Sequence, residues 1–225
     1  MTRIEDIIPA EVLNDEFYNE LISIASRPEL KTFLEIGSSS GSGSTQALVN
    51  GIKQRVDHFG VSLFCMELSR PRFIKLSETY AAEEFVKTYN LSSVATTEFP
   101  SATEVEFFYN NTKTNINNAP LTTVLEWRSQ DLYYIKENAL DANGIQFIIN
   151  ANKIDKFDFV LIDGSEFTGE RELIHILGAK VIALDDINAF KCFSAFNILS
   201  SHFAYKLVSF DRNTRNGFAI FEKRY

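Results

Sequence analysis

A doubly wound α/β sheet, mostly parallel and seven-stranded, ending in an antiparallel hairpin, is the fold this sequence predicts. Two observations carry that expectation. From Thr32 onward, short apolar runs alternate with helical stretches, the order that yields a parallel sheet with helices on both faces. Near the end, Tyr205–Asp211 and Phe218–Lys223 are joined by Arg212-Asn213-Thr214-Arg215-Asn216-Gly217, whose Asn-Gly pair in a short polar connection signals a hairpin.

The elements follow in order. Pro9 to Arg27 reads as an amphipathic helix, with Leu13, Phe17, Leu21 and Ile24 on one side at helical spacing. The strands before the hairpin are Thr32–Ile36, Ser62–Glu67, Ser93–Phe99, Phe157–Asp163 and Val181–Asp185. Between the third and fourth lies Ser101 to Asn150, long for a strand-to-strand connection. It holds an asparagine-rich stretch, Tyr109 to Pro120, and then Leu121, Leu125, Leu132, Ile135 and Ala139 at roughly helical intervals. An extra packed helix pair and a substrate-recognition insert both suit it. The chain reads as one domain over 1–225, with 1–30 as a helical cap and 101–150 as the insert.

Composition narrows the class. Aromatic residues make up 13% and hydrophobic residues 45%, enough for a full core and too apolar for a disordered chain. The net charge of −8, with no basic stripe, argues against nucleic acid as a partner. Arg70, Arg72 and Lys75 read as a solvated helix face. Cys65 and Cys192 lie among apolar residues and read as reduced, buried thiols of a cytoplasmic protein. No stretch has signal-peptide or membrane-spanning character. His58, His175 and His202 show no ligand spacing.

Lys31 to Thr45, KTFLEIGSSSGSGST, carries the most chemistry. A strand ends in Gly37, Gly41 and Gly43, and a helix opens around Ser44. Backbone N–H groups of such a turn face a ligand that comes close to it. Glu35, Gly37, Ser38, Gly41, Gly43 and Ser44 are therefore cofactor-binding candidates. The glycine spacing suits both NAD(P)-dependent short-chain reductases and S-adenosylmethionine methyltransferases. Glu67, ending the second strand, would accept hydrogen bonds from the ribose hydroxyls of either cofactor. Three features favour the second. Glu35 stands where a dehydrogenase usually has Thr-Gly and suits the amino group of methionine. Tyr109 and Lys113 have dehydrogenase spacing and Asn117-Asn118-Ala119 mimics another of its signatures, but they stand before the fourth strand and in the wrong order. The terminal hairpin belongs to the methyltransferase sheet.

The stretches FLEIGSSSGSGS, FDFVLIDGSEFTG and KVIALDDINAFK make the chain resemble the class I S-adenosylmethionine-dependent methyltransferases from Thr32 to Lys223. The resemblance implies the Rossmann-like methyltransferase fold. It places methionine near Glu35 and Gly37, ribose on Glu67, and adenine near Ser101-Ala102, although the family usually carries an acidic residue at that last position.

Asp163 ends the fourth strand, and Asp185 and Asp186 end the fifth. Carboxyl ends of such strands line the ligand crevice, and three carboxylates there repel one another unless a cation joins them. Hard oxygen ligands point to Mg²⁺, or to Mn²⁺. The layout is similar to metal-dependent O-methyltransferases, and Asp185-Asp186 is closest to their sugar type. Those enzymes place a base three residues after the first ligand; here Glu166 stands there, able to take a proton if burial raises its pKa. Lys191 is the alternative neutralising partner, and turn or helix capping by Asp163 and Asp186 the alternative structural role. The expected activity is methyl transfer to a hydroxyl of a small molecule, a sugar or glycan precursor by analogy. A homodimer is compatible with it. The rival functions are an NAD(P)-dependent reductase and a non-catalytic binding module.

Overall fold

The structure is a computed structural model describing residues 4–224; Met1 to Arg3 of the expected N-terminal cap lie outside the described residues. Seven strands, β1 (Thr32–Ile36), β2 (Ser62–Met66), β3 (Val86–Tyr89), β4 (Phe159–Ile162), β5 (Val181–Asp185), β6 (Tyr205–Asp211) and β7 (Phe218–Lys223), form one sheet. Its order is β3-β2-β1-β4-β5-β7-β6. The first five pair in parallel, and β7 runs antiparallel between β5 and β6. This is the Rossmann-like methyltransferase fold that the sequence predicts. The chain winds outward from β1 to β3 and then crosses to β4, so the winding reverses between β1 and β4. A crevice opens at the carboxyl ends of the strands on either side of such a reversal.

Alternation along the strands explains the layering. Phe33, Leu63, Cys65, Phe159, Leu161, Ala183 and Ile220 pack on one face, against α1 (Glu16–Ala25), α2 (Ser44–Lys53) and Leu76 of α3 (Arg70–Thr79). Their neighbours Leu34, Ile36, Phe64, Met66, Val160, Ile162 and Leu184 face the other way. There they meet α4 (Ala102–Asn111), α5 (Leu121–Glu137), α6 (Gly144–Asn152), α7 (Gly169–Ile176) and α8 (Phe190–Ser201). Period-two alternation with both faces apolar is what a covered parallel sheet requires. Cys65 and Cys192 are buried in opposite layers and do not pair. Among the described residues no helix is long and apolar enough to cross a membrane.

Three expectations are corrected. The third strand is Val86–Tyr89, not Ser93–Phe99. Its four residues are only half buried and lie at the sheet edge, so they lack a strong apolar pattern. Thr96–Glu98 instead makes a short 3₁₀ turn, with the Thr96 amide and hydroxyl donating to Asp141 at 2.8 and 2.7 Å. The first helix begins at Glu16 rather than Pro9, because Asp15 caps it by accepting from the Tyr18 amide at 2.8 Å. Residues 4–14 are left as an irregular strap. The long insert holds three helices, α4 to α6, rather than a pair.

The helices α1 and α2 touch closely at Gly51, where an added Cβ would lie 2.4 Å from the Ile22 carbonyl and 2.7 Å from the Ala25 methyl. Gly51→Ala should push the helices apart and destabilise the protein by about 1–3 kcal/mol, read as a lower denaturant midpoint at unchanged slope. An unaltered midpoint would mean that α1 is not fixed against α2.

Candidate active site

The tips of β1, β2 and β4 border a cleft of about 370 Å³ at the winding reversal. Its floor starts at Gly37. The amides of Gly37 and Ser38 both donate to the Met66 carbonyl at 2.9 Å, turning the chain sharply off β1. Gly37 has φ +88°, and a Cβ there would lie 2.0 Å from the Asp163 carbonyl oxygen. Glycine is needed because β4 passes against it, not only because a ligand approaches.

Glu35 is fully buried and does not border the cleft. Its Oε2 accepts from the Ser38 and Thr45 hydroxyls at 2.6 Å each, which ties the turn to the first residues of α2. Burial raises its pKa, against the hydroxyls that favour the charged form. The expected contact with an amino group is thus replaced by an internal brace. Gly41 also lies behind the cleft, against Tyr80 and Leu76. Ser38, Gly43 and Ser44 border it.

Glu67 borders the cleft at the tip of β2. Its oxygens accept from the Ser39 and Ser69 amides, each at 2.7 Å. Burial pushes its pKa up, opposed by the Ser69 amide and the Arg72 charge. Each oxygen keeps a lone pair for a ligand hydroxyl. A buried carboxylate held from behind by two amides and opening on a cleft is what a ribose diol needs.

The loop after β3 supplies Leu91, Ser92 and Ser93 to the cleft, whereas Ser101 is exposed and does not border it. Ser101 caps α4: its hydroxyl accepts from the Glu104 amide at 3.2 Å, and its amide donates to the Glu104 carboxylate at 2.6 Å. Placing β3 too late in the chain displaced the adenine assignment with it. Tyr109 and Lys113 do not border the cleft, and the Tyr109 hydroxyl donates to the Ala119 carbonyl at 2.8 Å. The asparagine-rich loop is bolted to the loop after β5 through the Asn115 amide on the Asn188 carbonyl, and to the hairpin connection through the Asn115 and Asn216 side chains.

Several cleft residues carried no sequence signal. Ile8 to Val12 of the strap form one wall, held where the Arg72 Nε donates to the Asp6 carbonyl at 2.8 Å. Arg72 is thus a cleft residue and not part of a solvated face. Trp127 and Asp131 reach in from α5, and the Ser165 hydroxyl donates to Asp131 at 2.5 Å. Burial raises the Asp131 carboxyl to about 6, against the Ser165 bond. Only their spacing on one helix face, four residues apart, was available in sequence.

Asp163, Asp185 and Asp186 converge as expected, with oxygens within 4.8 Å of one another. Two protein cations stand among them. The Lys191 Nζ lies 2.8 Å from Asp163 and 2.6 Å from Asp186, and the Arg215 guanidinium lies 2.7 Å from Asp185 and also pairs with Asp15. Burial alone would lower the Lys191 pKa, but the Asp163, Asp186 and Asp185 charges outweigh it and hold the ammonium charged. Burial raises Asp163, and its two carboxylate neighbours add to this against Lys191. Asp186 is held ionised by Lys191 despite burial. Neither aspartate caps a turn or helix through its side chain. The Gly164–Thr168 turn is held by Glu172, which accepts from the Ser93 and Thr168 hydroxyls at 2.5 and 2.6 Å.

Three carboxylates are chemically suited to a hard cation, but their arrangement does not fit a catalytic one. Such an ion needs an open position toward its substrate. Asp163 and Lys191 border the cleft, while Asp185 and Asp186 are 2% and 7% exposed and stand behind them. Lys191 bridges the cleft-lining Asp163 and the buried Asp186. Beside it, Glu166 also borders the cleft and accepts weakly from the Lys191 amide at 3.4 Å. Burial raises its carboxyl to about 7, against the Lys191 charge.

No family model and no curated protein matches the chain. Solved structures do. An O-methyltransferase from Bacillus cereus in complex with S-adenosylhomocysteine superposes over 96% of this chain and 84% of its own, with TM-score 0.58 at 14% identity. The O-methyltransferase TomG of Streptomyces achromogenes, involved in tomaymycin synthesis and solved with S-adenosylmethionine, covers 96% and 83% with TM-score 0.57 at 12% identity. The methyltransferase PaMTH1 of Podospora anserina, bound to S-adenosylhomocysteine, covers 96% and 81% with TM-score 0.51 at 12% identity. At these identities the likeness is one of fold.

Glu35 provides a test of the loop. Glu35→Ala leaves the Ser38 hydroxyl unpaired in the interior and Thr45 with only the Ser38 carbonyl at 3.3 Å, and should cost about 1–3 kcal/mol of stability. Glu35→Gln keeps an acceptor oxygen and should cost less. Equal midpoints for the two variants would show that the brace is unimportant.

Proposed function

We propose that the protein is an S-adenosylmethionine-dependent O-methyltransferase acting on a hydroxyl of a small molecule, with a sugar or glycan precursor as the acceptor class. The observation that carries the reading is Glu67. Its amide-braced carboxylate borders the same cleft as Glu166 and Lys191. The cradle suits the cofactor, with Gly37, Ser38, Gly43 and Ser44 along the methionine side, Glu67 on the ribose hydroxyls, and Leu91 to Ser93 beside the adenine. Bound there, S-adenosylmethionine supplies an electrophilic methyl group for in-line displacement. Support for a hydroxylated acceptor comes from Trp127, which offers a ring to stack on, and from Asp131 and Ser165, which offer hydrogen bonds.

The chain's own part is to align the acceptor oxygen and to take its proton. Lys191, held by Asp163, stands at the acceptor end and fixes the oxygen. Glu166 accepts the hydroxyl proton as the C–O bond forms and the C–S bond breaks, and later returns that proton to water. Its raised pKa makes it a usable base near neutrality. The strap walls one side of the cleft and limits the access of water from that side.

Two measurements test this reading. Glu67→Ala removes a charged acceptor of two hydrogen bonds, each worth about 1.5–3 kcal/mol. It should therefore weaken S-adenosylmethionine at least about tenfold in calorimetry; unchanged affinity in a folded variant would contradict the assignment. For Glu166 the sign runs with pH. A carboxyl with its pKa near 7 is protonated below that value, so kcat should rise with pH through about 7. Glu166→Gln should abolish that limb and lower kcat by about 10²–10⁴-fold while cofactor affinity is kept. A pH profile unchanged by the substitution would remove Glu166 from the mechanism.

A further inference from the structure

We propose that the Lys191 ammonium, held between Asp163 and Asp186, is the cation that meets the acceptor oxygen in this protein, in the place where a related enzyme would use a divalent metal. The inference rests on the methyl-transfer reading for the identity of the acceptor, and on geometry for everything else.

Each carboxylate of the cluster already has a fixed protein cation. Lys191 bridges Asp163 and Asp186 at 2.8 and 2.6 Å, and Arg215 takes Asp185 at 2.7 Å. A divalent ion on all three would have to expel the ammonium into the cleft and compete with the guanidinium. Lys191 itself also has a fixed backbone. It lies in the first turn of α8, and its carbonyl presses so closely on Gly169 that a Cβ there would stand 2.0 Å away. Its amide faces Glu166. Asp186 has φ +58° and its carbonyl accepts from the Ala189 amide at 3.0 Å, so the loop leading to the lysine is fixed from the other side. The two backbones that carry Asp163 and Lys191 are therefore set relative to each other.

An ammonium in that position has the chemistry the step needs. It has three N–H donors, two of which are directed to the aspartates, leaving one for an acceptor oxygen. A full positive charge beside a hydroxyl in a poorly solvated cleft favours its deprotonated form. The proton passes to Glu166 and Lys191 keeps its own, so the oxygen attacks while hydrogen-bonded to a cation. The trade is a weaker electrophile than Mg²⁺ against a site that does not depend on metal supply. Asp163 and Asp186 act as positioning residues for the lysine.

Mn²⁺ is the probe that tests this, because its electron paramagnetic resonance reports binding without any turnover. Wild-type protein in millimolar Mn²⁺ should leave the free-ion signal unchanged, and its methyl transfer should be indifferent to a chelator. Lys191→Ala empties the cluster of its ammonium and should create a site for one Mn²⁺ per chain, lost again in Lys191→Ala/Asp186→Asn. Lys191→Met should lose turnover with S-adenosylmethionine affinity retained in calorimetry. Stoichiometric Mn²⁺ binding by the wild type, abolished by Asp186→Asn, would overturn the proposal whatever the variants do. So would turnover that vanishes with chelator and returns with Mg²⁺. Failure of the methyl-transfer reading would show separately, as absence of S-adenosylmethionine binding in the same calorimetry.

Discussion

Everything in the site follows from how closely β1 and β4 approach at their tips. The Gly37 α-carbon lies so near the Asp163 carbonyl that any side chain would occupy the same space. This contact joins two loops of different chemistry. One is the glycine turn after β1, whose backbone suits a cofactor; the other is the β4 turn, which carries Asp163, Ser165 and Glu166. A larger residue at position 37 would part the tips, and the cofactor end and the acceptor end of the cleft would no longer share one floor. In the proposed methyl transfer, placing them side by side would convert a bimolecular encounter into a positioned one.

A buried layer of carboxylates supports that floor. Glu35 braces the first loop, Glu67 the second, and Glu172 ties the β4 turn to Ser93 in the loop after β3. Burial raises the pKa of all three, so charge is held there at an energetic cost and only because hydroxyls and amides are aimed at it. Below these loops the apolar sheet, covered on both faces, supplies the stability that such polar layers consume. The exposed pairs elsewhere, such as Lys53 with Glu83, carry no such constraint.

What the sequence made legible was whatever a short run of residues can encode. β1, β5 and the hairpin were placed to the residue, because apolar runs and an Asn-Gly turn are local signals. The convergence of Asp163, Asp185 and Asp186 was legible too, since strand tips in this fold share an edge. The half-buried edge strand β3 was not, as its alternation is weak over four residues. Losing it moved the adenine-side loop, and Ser101 with it. Glu35 was misread for a different reason: the strand's alternation turns it away from the cleft, toward Thr45. Trp127, Asp131, Arg72 and the strap are brought in from distant segments by packing alone, and no spacing rule announces them. Arg215 belongs to the same class. It reads as a hairpin residue, yet it pairs with Asp185 and with Asp15 at the start of α1.

The central claim is that this cleft holds S-adenosylmethionine with its ribose on Glu67 and its sulfur directed to the acceptor end. A crystal structure of the protein with S-adenosylhomocysteine tests it most directly. The account predicts the ribose hydroxyls within hydrogen-bond distance of the Glu67 carboxylate, the sulfur facing Lys191 and Glu166, and the strap in contact with the ligand. A ligand bound elsewhere on the chain, or in this cleft with its ribose away from Glu67, would contradict it.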